Sequence, residues 1–159
     1  MKKAVIAILA IFAAVILLLV TVVAMNTQRV RFFKESYLHV SMLDETSEVV
    51  GTSANGAQVH MSSDNVAAFM KVVTAQSITY AFIVPSEEKN PSVSMLLPDG
   101  TKYTVIDGGE DKNGHDTAYI VYRSGRTKLT FRLTGFAAFD RAAECVSAMG
   151  SAGANTPLR

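Results

Sequence analysis

Residues 4–25 read AVIAILAIFAAVILLLVTVVAM, an unbroken apolar run in which Thr21 is the only polar side chain. A helix over this run is about 33 Å long at 1.5 Å per residue, close to the roughly 30 Å hydrocarbon core of a bilayer. A continuous helix also pairs every backbone polar group within the segment, as lipid requires. The sequence therefore predicts a membrane anchor over residues 1–25.

A cleaved signal peptide is the alternative for this segment. Val22 and Ala24 have the small side chains of a cleavage site, and cleavage near Ala24 would release a secreted binding protein. The apolar part of a signal peptide usually has about 7–15 residues, and this run is longer. A retained anchor is therefore favoured.

Basic residues flank both ends of the anchor, close enough to influence its orientation. They are Lys2, Lys3, Arg29, Arg31 and Lys34. Anchors that follow an MKK start normally keep that end inside, so we expect a cytoplasmic N-terminus and an extracytoplasmic domain. The residues expected at the membrane interface are Lys2, Lys3, Arg29, Arg31, Phe32 and Phe33.

The chain after the anchor divides into three predicted parts. Residues 26–35 form a short, partly helical juxtamembrane stalk, residues 36–150 form one domain, and residues 151–159, SAGANTPLR, form a disordered tail. Residues 36–42, SYLHVSM, alternate between apolar and polar side chains. This alternation predicts the first strand of the domain.

Two segments have the apolar spacing of amphipathic helices. The first follows the capping sequence SSDN and carries a stripe of Val66, Phe69, Met70 and Val73. The second, GFAAFDRAAECVSAM over residues 135–149, follows the possible cap Thr134, and Gly150 would end it. Its predicted stripe consists of Phe136, Phe139, Ala143 and Val146.

The remaining segments have the period of two that strands show. One strand face is predicted to hold Ile78, Tyr80, Phe82 and Val84, and Pro85 ends this strand. Short strands are also predicted on either side of the turn sequence GTSANG, residues 51–56, and of PDGT, residues 98–101. A tight turn at Ser124 and Gly125 is expected to pair Ala118, Ile120 and Tyr122 with Leu129, Phe131 and Leu133.

These patterns predict an α+β fold: an N-terminal transmembrane helix, then an antiparallel meander of about five to seven strands covered by two amphipathic helices. A barrel like that of pleckstrin-homology domains, with a C-terminal helix, has a similar element order and is the alternative. That analogy rests on element order alone and assigns no function.

The charge of the domain argues against nucleic-acid binding. Residues 26–159 contain 13 of the 15 basic residues and all 14 acidic ones, so this part has a formal charge of −1. A protein that neutralises phosphates needs a basic face. We therefore expect no nucleic-acid partner.

The segment DGGEDKNGHD, residues 107–116, has oxygen ligands of the kind that calcium accepts. The weak metal-site candidates are Asp107, Glu110, Asp111, Asn113 and Asp116. If Gly114 takes the glycine position of an EF-hand, the last position of the loop is Ile120, and the bidentate acid is missing. A solvated hairpin loop is therefore favoured, because turns select the same residue types.

The other candidates for chemistry have simpler explanations. His39 and His60 lie in predicted strands without the spacing of a metal pair, and His115 beside Asp116 lacks a nucleophile. Ser53 is not in a nucleophile elbow, since Asn55 stands where that motif has glycine. Cys145 is the only cysteine, and a buried, inert thiol is favoured.

The sequence thus favours a single-pass membrane protein that displays a small, non-enzymatic binding or scaffolding domain outside the cytoplasm. Its expected partners are the lipid bilayer and a protein of the cell envelope, and no cofactor is predicted. The enzyme alternative is an envelope hydrolase or metal-dependent enzyme centred on the 107–116 loop. A pocket that joins two histidines to acidic side chains would favour the enzyme.

Overall fold

The first helix, α1 (Lys2–Tyr37), is 36 residues long and extends well beyond the apolar run. It has neither glycine nor proline along its length, and its two threonine hydroxyls bond within the helix. Thr21 Oγ1 donates to Leu17 O at 2.8 Å, and Thr27 Oγ1 donates to Val23 O at 2.9 Å. The computed structural model describes residues 2–38 and 48–147.

Helix α1 is long and apolar enough to span a membrane. Its span Val5–Ser36 contains a window with a mean hydropathy of 3.3, and no part of that window is buried in the protein. A fully exposed run of this hydropathy distinguishes α1 from the core helix of a soluble protein. This supports the predicted membrane anchoring at the level of length and composition.

The C-terminal turns of α1 pack into the core of the domain. Phe33 is 0% exposed, and its ring stacks on Phe131 with centroids 4.3 Å apart and contacts the edge of Tyr122 at 6.1 Å. Leu38, just after the helix, is also buried. The end of the predicted stalk is therefore part of the domain.

This packing corrects two predictions. Phe33 is a core residue and not a membrane-interface residue, because its ring is enclosed by the sheet. The predicted strand over residues 36–42 is wrong at its start, since α1 continues through Tyr37. Residues 39–42 of that segment, including His39, lie outside the described residues, as do Gly150 and the predicted tail.

Seven strands of the described chain form one sheet in which every neighbouring pair is antiparallel. They are β1 (Val49–Thr52), β2 (Gln58–Met61), β3 (Ser77–Tyr80), β4 (Ser92–Leu96), β5 (Lys102–Glu110), β6 (Asp116–Ser124) and β7 (Thr127–Thr134). The spatial order is β2-β1-β4-β5-β6-β7-β3. The edges β2 and β3 do not pair with each other, so the sheet is open. The α+β class is confirmed, and the barrel alternative is wrong.

Helix α2 (Ser63–Ala75) connects the two edges of the sheet and therefore crosses one of its faces. The side chain of Ser62 caps it by accepting a hydrogen bond from the Asn65 N–H at 3.3 Å. Its buried residues are Val66, Phe69, Met70 and Val73, which confirms the predicted stripe. One core lies between this face of the sheet and the three helices.

Helix α3 (Ala138–Ser147) packs on α2 with a buried stripe that shares only Val146 with the predicted one. Its buried residues are Ala138, Ala142 and Val146. Phe136 precedes the helix and is 77% exposed, because Ala137 turns the chain with a positive φ of 49°. Phe139 and Ala143 are half-buried, and Thr134 belongs to β7 and not to a helix cap.

The segment after β3 covers the second face of the sheet. Strand β3 ends at Tyr80, so the predicted strand through Phe82 and Val84 is too long. Thr130 Oγ1 donates to Ala81 O at 2.7 Å, and the Ala81 N–H donates to Thr130 O at 3.1 Å. Further along, Arg123 binds Glu87 at 2.9 Å. Ile106 and Val121 are buried beside this segment.

The β6–β7 hairpin has the predicted register. Ala118, Ile120 and Tyr122 pair with Leu133, Phe131 and Leu129 respectively. The turn consists of Gly125 and Arg126, one residue later than predicted, because Ser124 still pairs with Thr127. Gly125 has a φ of 54°, which glycine adopts without strain.

The neighbours Phe32 and Phe33 provide a matched test of the packing of α1. Phe33→Ala should lower the free energy of unfolding by about 3–5 kcal/mol, because it leaves a cavity against Phe131. Phe32 is 56% exposed, so Phe32→Ala should change the free energy of unfolding by less than about 0.5 kcal/mol. Denaturant unfolding of the full chain in detergent measures both values. Equal effects of the two substitutions would contradict the buried position of Phe33.

Candidate functional site at the helix–sheet junction

The candidate metal loop is the end of the β5–β6 hairpin, and Asp111 stabilises its turn. Its Oδ1 accepts hydrogen bonds from the N–H groups of Asn113 at 2.8 Å and His115 at 3.1 Å. Arg132 approaches the other carboxylate oxygen at 3.5 Å. The His115 and Asn113 N–H groups hold the pKa of Asp111 below its usual range. The Asp111 carboxylate therefore stabilises the turn through these backbone hydrogen bonds.

The other candidate acids, Asp107, Glu110 and Asp116, line one small cleft, and two of them also accept local hydrogen bonds. Asp107 Oδ1 accepts from the Gly109 N–H at 2.8 Å, and Asp116 Oδ2 accepts from the Ala137 N–H at 3.1 Å. Asp107, Glu110 and Asp116 line a cleft of about 200 Å³, while Asp111 and Asn113 do not. The predicted loop is also shorter than expected, because β5 continues to Glu110 after an irregularity at the glycines. Among residues 2–38 and 48–147, no group of three or more His, Cys, Asp or Glu side chains could hold a metal ion.

The two described histidines, His60 and His115, lie on different elements. His60 is exposed on the edge strand β2, opposite Val50 of β1. His115 is at the end of the β5–β6 hairpin, with its side chain 64% exposed and Nδ1 3.6 Å from Asp111. Neither of the described histidines, His60 and His115, lines the small acidic cleft. The arrangement that would favour an enzyme is therefore not seen in the described part of the chain.

Ser53 and Cys145 have structural surroundings. The Ser53 hydroxyl bonds to Asn55 Oδ1 at 2.5 Å and to Ala57 O at 3.0 Å, which closes the β1–β2 turn. Cys145 is half-buried on α3, less enclosed than predicted. Burial, and then the negative charge of Glu144, raises the pKa of its thiol. The raised pKa lowers the thiolate fraction at neutral pH and hence the reactivity of Cys145.

A groove of about 520 Å³ lies between α1 and the edge strand β3. Its α1 side is formed by Val23, Asn26, Thr27, Val30, Arg31, Lys34 and Glu35. Its other side is formed by Ile78, Thr79 and Tyr80. Val23 belongs to the apolar run of residues 4–25, so the groove places β3 beside the end of that run. We call this region the helix–sheet junction.

A chain of three side chains crosses the helix–sheet junction. The guanidinium of Arg29 lies over the ring of Tyr80, 4.8 Å from its centroid. The ring of Phe82 contacts Tyr80 edge-on, with centroids 4.9 Å apart. Phe82 and Ile83 are nonetheless 75% and 85% exposed. The junction therefore combines a cation with a pair of exposed apolar side chains.

The predicted membrane-interface residues are only partly brought together. Arg29 and Arg31 lie on α1 beside the junction, and Arg31 Nε binds Glu35 Oε1 at 2.7 Å. Phe32 is more than half exposed, whereas Phe33 is in the core. The side chains of Lys2 and Lys3 lie outside the described part. Sequence reasoning missed Phe82 and Ile83, since their alternation with Tyr80 and Val84 indicated a strand.

The role of Asp111 as a turn residue predicts how stability depends on pH. Its pKa is lowered in the folded chain, so its stabilisation is present above the unfolded value of about 3.9. That stabilisation is lost as pH falls through the lower, folded pKa. Asp111→Asn should therefore lower the melting temperature at neutral pH, and its difference from the unsubstituted chain should shrink in acid. Thermal melts from neutral pH to about pH 2 measure this.

Glu88→Gln is the matched control, because it removes one exposed carboxylate from another loop. It should leave the melting temperature nearly unchanged at all pH values. A difference for Asp111→Asn that stays constant into acid would contradict the assigned hydrogen bonds. A rise in melting temperature on adding Ca²⁺ that Asp111→Asn abolishes would instead favour a metal site.

Comparison with known proteins yields no match to a family model, to a curated protein or to a solved structure. The distinguishing features of the described structure are the continuous helix α1, its buried end and the exposed pair Phe82 and Ile83.

Proposed function

We propose that this chain is a single-pass membrane protein that displays a small, non-enzymatic α+β domain outside the cytoplasm. Residues 4–25 cross the bilayer, with Lys2 and Lys3 on the cytoplasmic side. The domain acts by binding or scaffolding a protein partner in the cell envelope. Asp107 and Asp111 of the acidic loop accept hydrogen bonds from backbone N–H groups, which supports a binding role over hydrolytic or metal chemistry.

The observation that carries the proposal is the path of α1 from an exposed apolar run into the core. The apolar window is 0% buried, and Phe33, only eight residues after Met25, is 0% exposed. At 1.5 Å per residue, this change takes place over about 12 Å of helix. A soluble domain has no use for a fully exposed apolar helix of this length, whereas a bilayer covers it.

The same path determines how the domain is held. A flexible linker rich in glycine and serine would let the domain move freely relative to its anchor. Here the connection is a helix without glycine or proline, and its end is packed against Phe131 and Tyr122. The domain is therefore presented close to the membrane in one orientation. Such an arrangement suits the recognition of a partner that is itself located at the membrane.

Membrane retention and sidedness can be tested with one engineered cysteine. In a Cys145→Ser background, Lys112→Cys places a thiol in the exposed β5–β6 turn. The chain should remain in the membrane pellet after alkaline extraction, and a membrane-impermeant maleimide should label it without disruption of the cytoplasmic membrane. Labelling only after that membrane is disrupted would contradict the orientation. Release of the chain by alkaline extraction would contradict the anchor.

The proposal also predicts which part of the chain carries the binding information. Replacing residues 4–25 with an unrelated leucine-rich anchor, while keeping residues 26–38, should preserve localisation and the proteins recovered by cross-linking. The native run has no glycine, a single small-xxx-small spacing at Ala10 and Ala14, and no charge that would mark a specific helix contact. Loss of the partners in a correctly oriented variant would place recognition within the bilayer. The matched control keeps residues 1–38 and replaces the rest with an unrelated domain, which should lose the partners.

A further inference from the structure

Phe82 and Ile83 form an exposed apolar pair that the core does not explain. Their side chains are 75% and 85% exposed, whereas Ala81 just before them is buried. Single exposed apolar residues are common, but two large ones in succession next to an aromatic ring form a contiguous patch. We call this pair and its backbone the 82–83 loop.

The 82–83 loop lies beside the end of the apolar run. The Phe82 ring contacts Tyr80, and Tyr80 lies under the guanidinium of Arg29. Arg29 is four residues after Met25, about 6 Å along the helix. Val23, within the apolar run, lines the same groove as Tyr80. The loop is thus next to the part of α1 where an apolar surface changes to a charged one.

Packing keeps the loop in this place. Its start is held by two hydrogen bonds between Ala81 and Thr130 of β7, at 2.7 and 3.1 Å. The helix is held by Phe33, which stacks on Phe131 of the same strand. Both α1 and the loop are therefore attached to β7, so the bilayer around α1 has a defined position relative to Phe82 and Ile83.

We propose that the 82–83 loop is a second membrane contact, which inserts Phe82 and Ile83 into the interface of a phospholipid bilayer beside α1. This inference rests on the proposed function, in which residues 4–25 cross that bilayer. Proteins that bind at a membrane interface bury aromatic and aliphatic side chains at the boundary between the headgroups and the acyl chains. Arg29, beside the loop, has the charge that complements lipid phosphate. The loop fixes the tilt of the domain on the membrane surface.

The absence of tryptophan from the chain allows a direct test with single reporters. Phe82→Trp reports on the loop, and Leu17→Trp reports on the middle of the proposed anchor. Phe136→Trp is the matched control, because Phe136 is equally exposed at 77%. It follows Thr134, which pairs with Ser77, so it lies toward the opposite end of β3 from Phe82. Each full-length variant is reconstituted in phosphatidylcholine–phosphatidylglycerol vesicles with lipids brominated at shallow or deep acyl positions.

Phe82→Trp should have blue-shifted emission and be quenched more by shallow than by deep bromines. Leu17→Trp should be quenched more by deep bromines, and Phe136→Trp should have aqueous emission with little quenching. Emission of Phe82→Trp like that of Phe136→Trp, with Leu17→Trp still quenched, would overturn the loop contact and leave the anchor intact. Absence of quenching for Leu17→Trp would instead contradict the proposed function, and the inference with it.

Two further observations separate lipid from a protein occupant. A blue shift of Phe82→Trp without quenching, which grows with the protein-to-lipid ratio, would mean that a second copy of the chain covers the loop and would overturn the proposal. Adding Ile83→Asp to Phe82→Trp should abolish most of the quenching, because a charge is expelled from the interface. Adding Phe136→Asp to the same variant should leave the quenching unchanged. Equal effects of the two aspartates would also contradict the proposal.

Discussion

Phe33, near the end of α1, packs its ring against Phe131 of β7 and the edge of Tyr122 of β6, at the centre of the core. Without this contact, α1 would be an apolar helix joined to the domain by a solvated stalk. With Phe33 and Leu38 buried, the last turns of the helix become part of the fold. The position of the domain relative to the apolar run then follows from side-chain packing.

The topology of the sheet determines that the helix–sheet junction lies at the edge formed by β3. Helix α2 carries the chain from the edge strand β2 to the opposite edge, where β3 pairs with β7 and lies beside α1. Because β3 ends at Tyr80, the following segment leaves the sheet edge and crosses to the second face. The 82–83 loop lies at this change of direction. Strand β3 is a short edge strand, and the chain leaves the sheet directly after it. Few backbone groups are therefore available for pairing with a strand of another molecule.

Much of the fold could be predicted from the period of apolar residues. The stripe of α2 and the register of the β6–β7 hairpin follow from spacings of 3.6 and two residues, and the structure has both. Errors occurred where tertiary contacts override a short pattern. The alternation from Ser36 onward indicated a strand, but α1 continues through Tyr37, because burial of Phe33 favours continued helix there. Ala137 turns the chain before α3 and shifts its buried stripe from Phe136 to Ala138.

The two sites differ in how much the sequence revealed. The residue types of the 107–116 loop are equally suited to turns and to calcium, and the missing EF-hand acid was visible in the sequence. The exposure of Phe82 and Ile83 could not be predicted from the sequence, because their alternation with Tyr80 and Val84 fits a strand that ends at Pro85. The central claim is that residues 26–37 are folded with the domain. Hydrogen exchange of the full chain in lipid nanodiscs tests it: these amides should open together with those of β6. Exchange of residues 30–37 as fast as that of the exposed turn residues Asp99 and Gly100 would contradict the account.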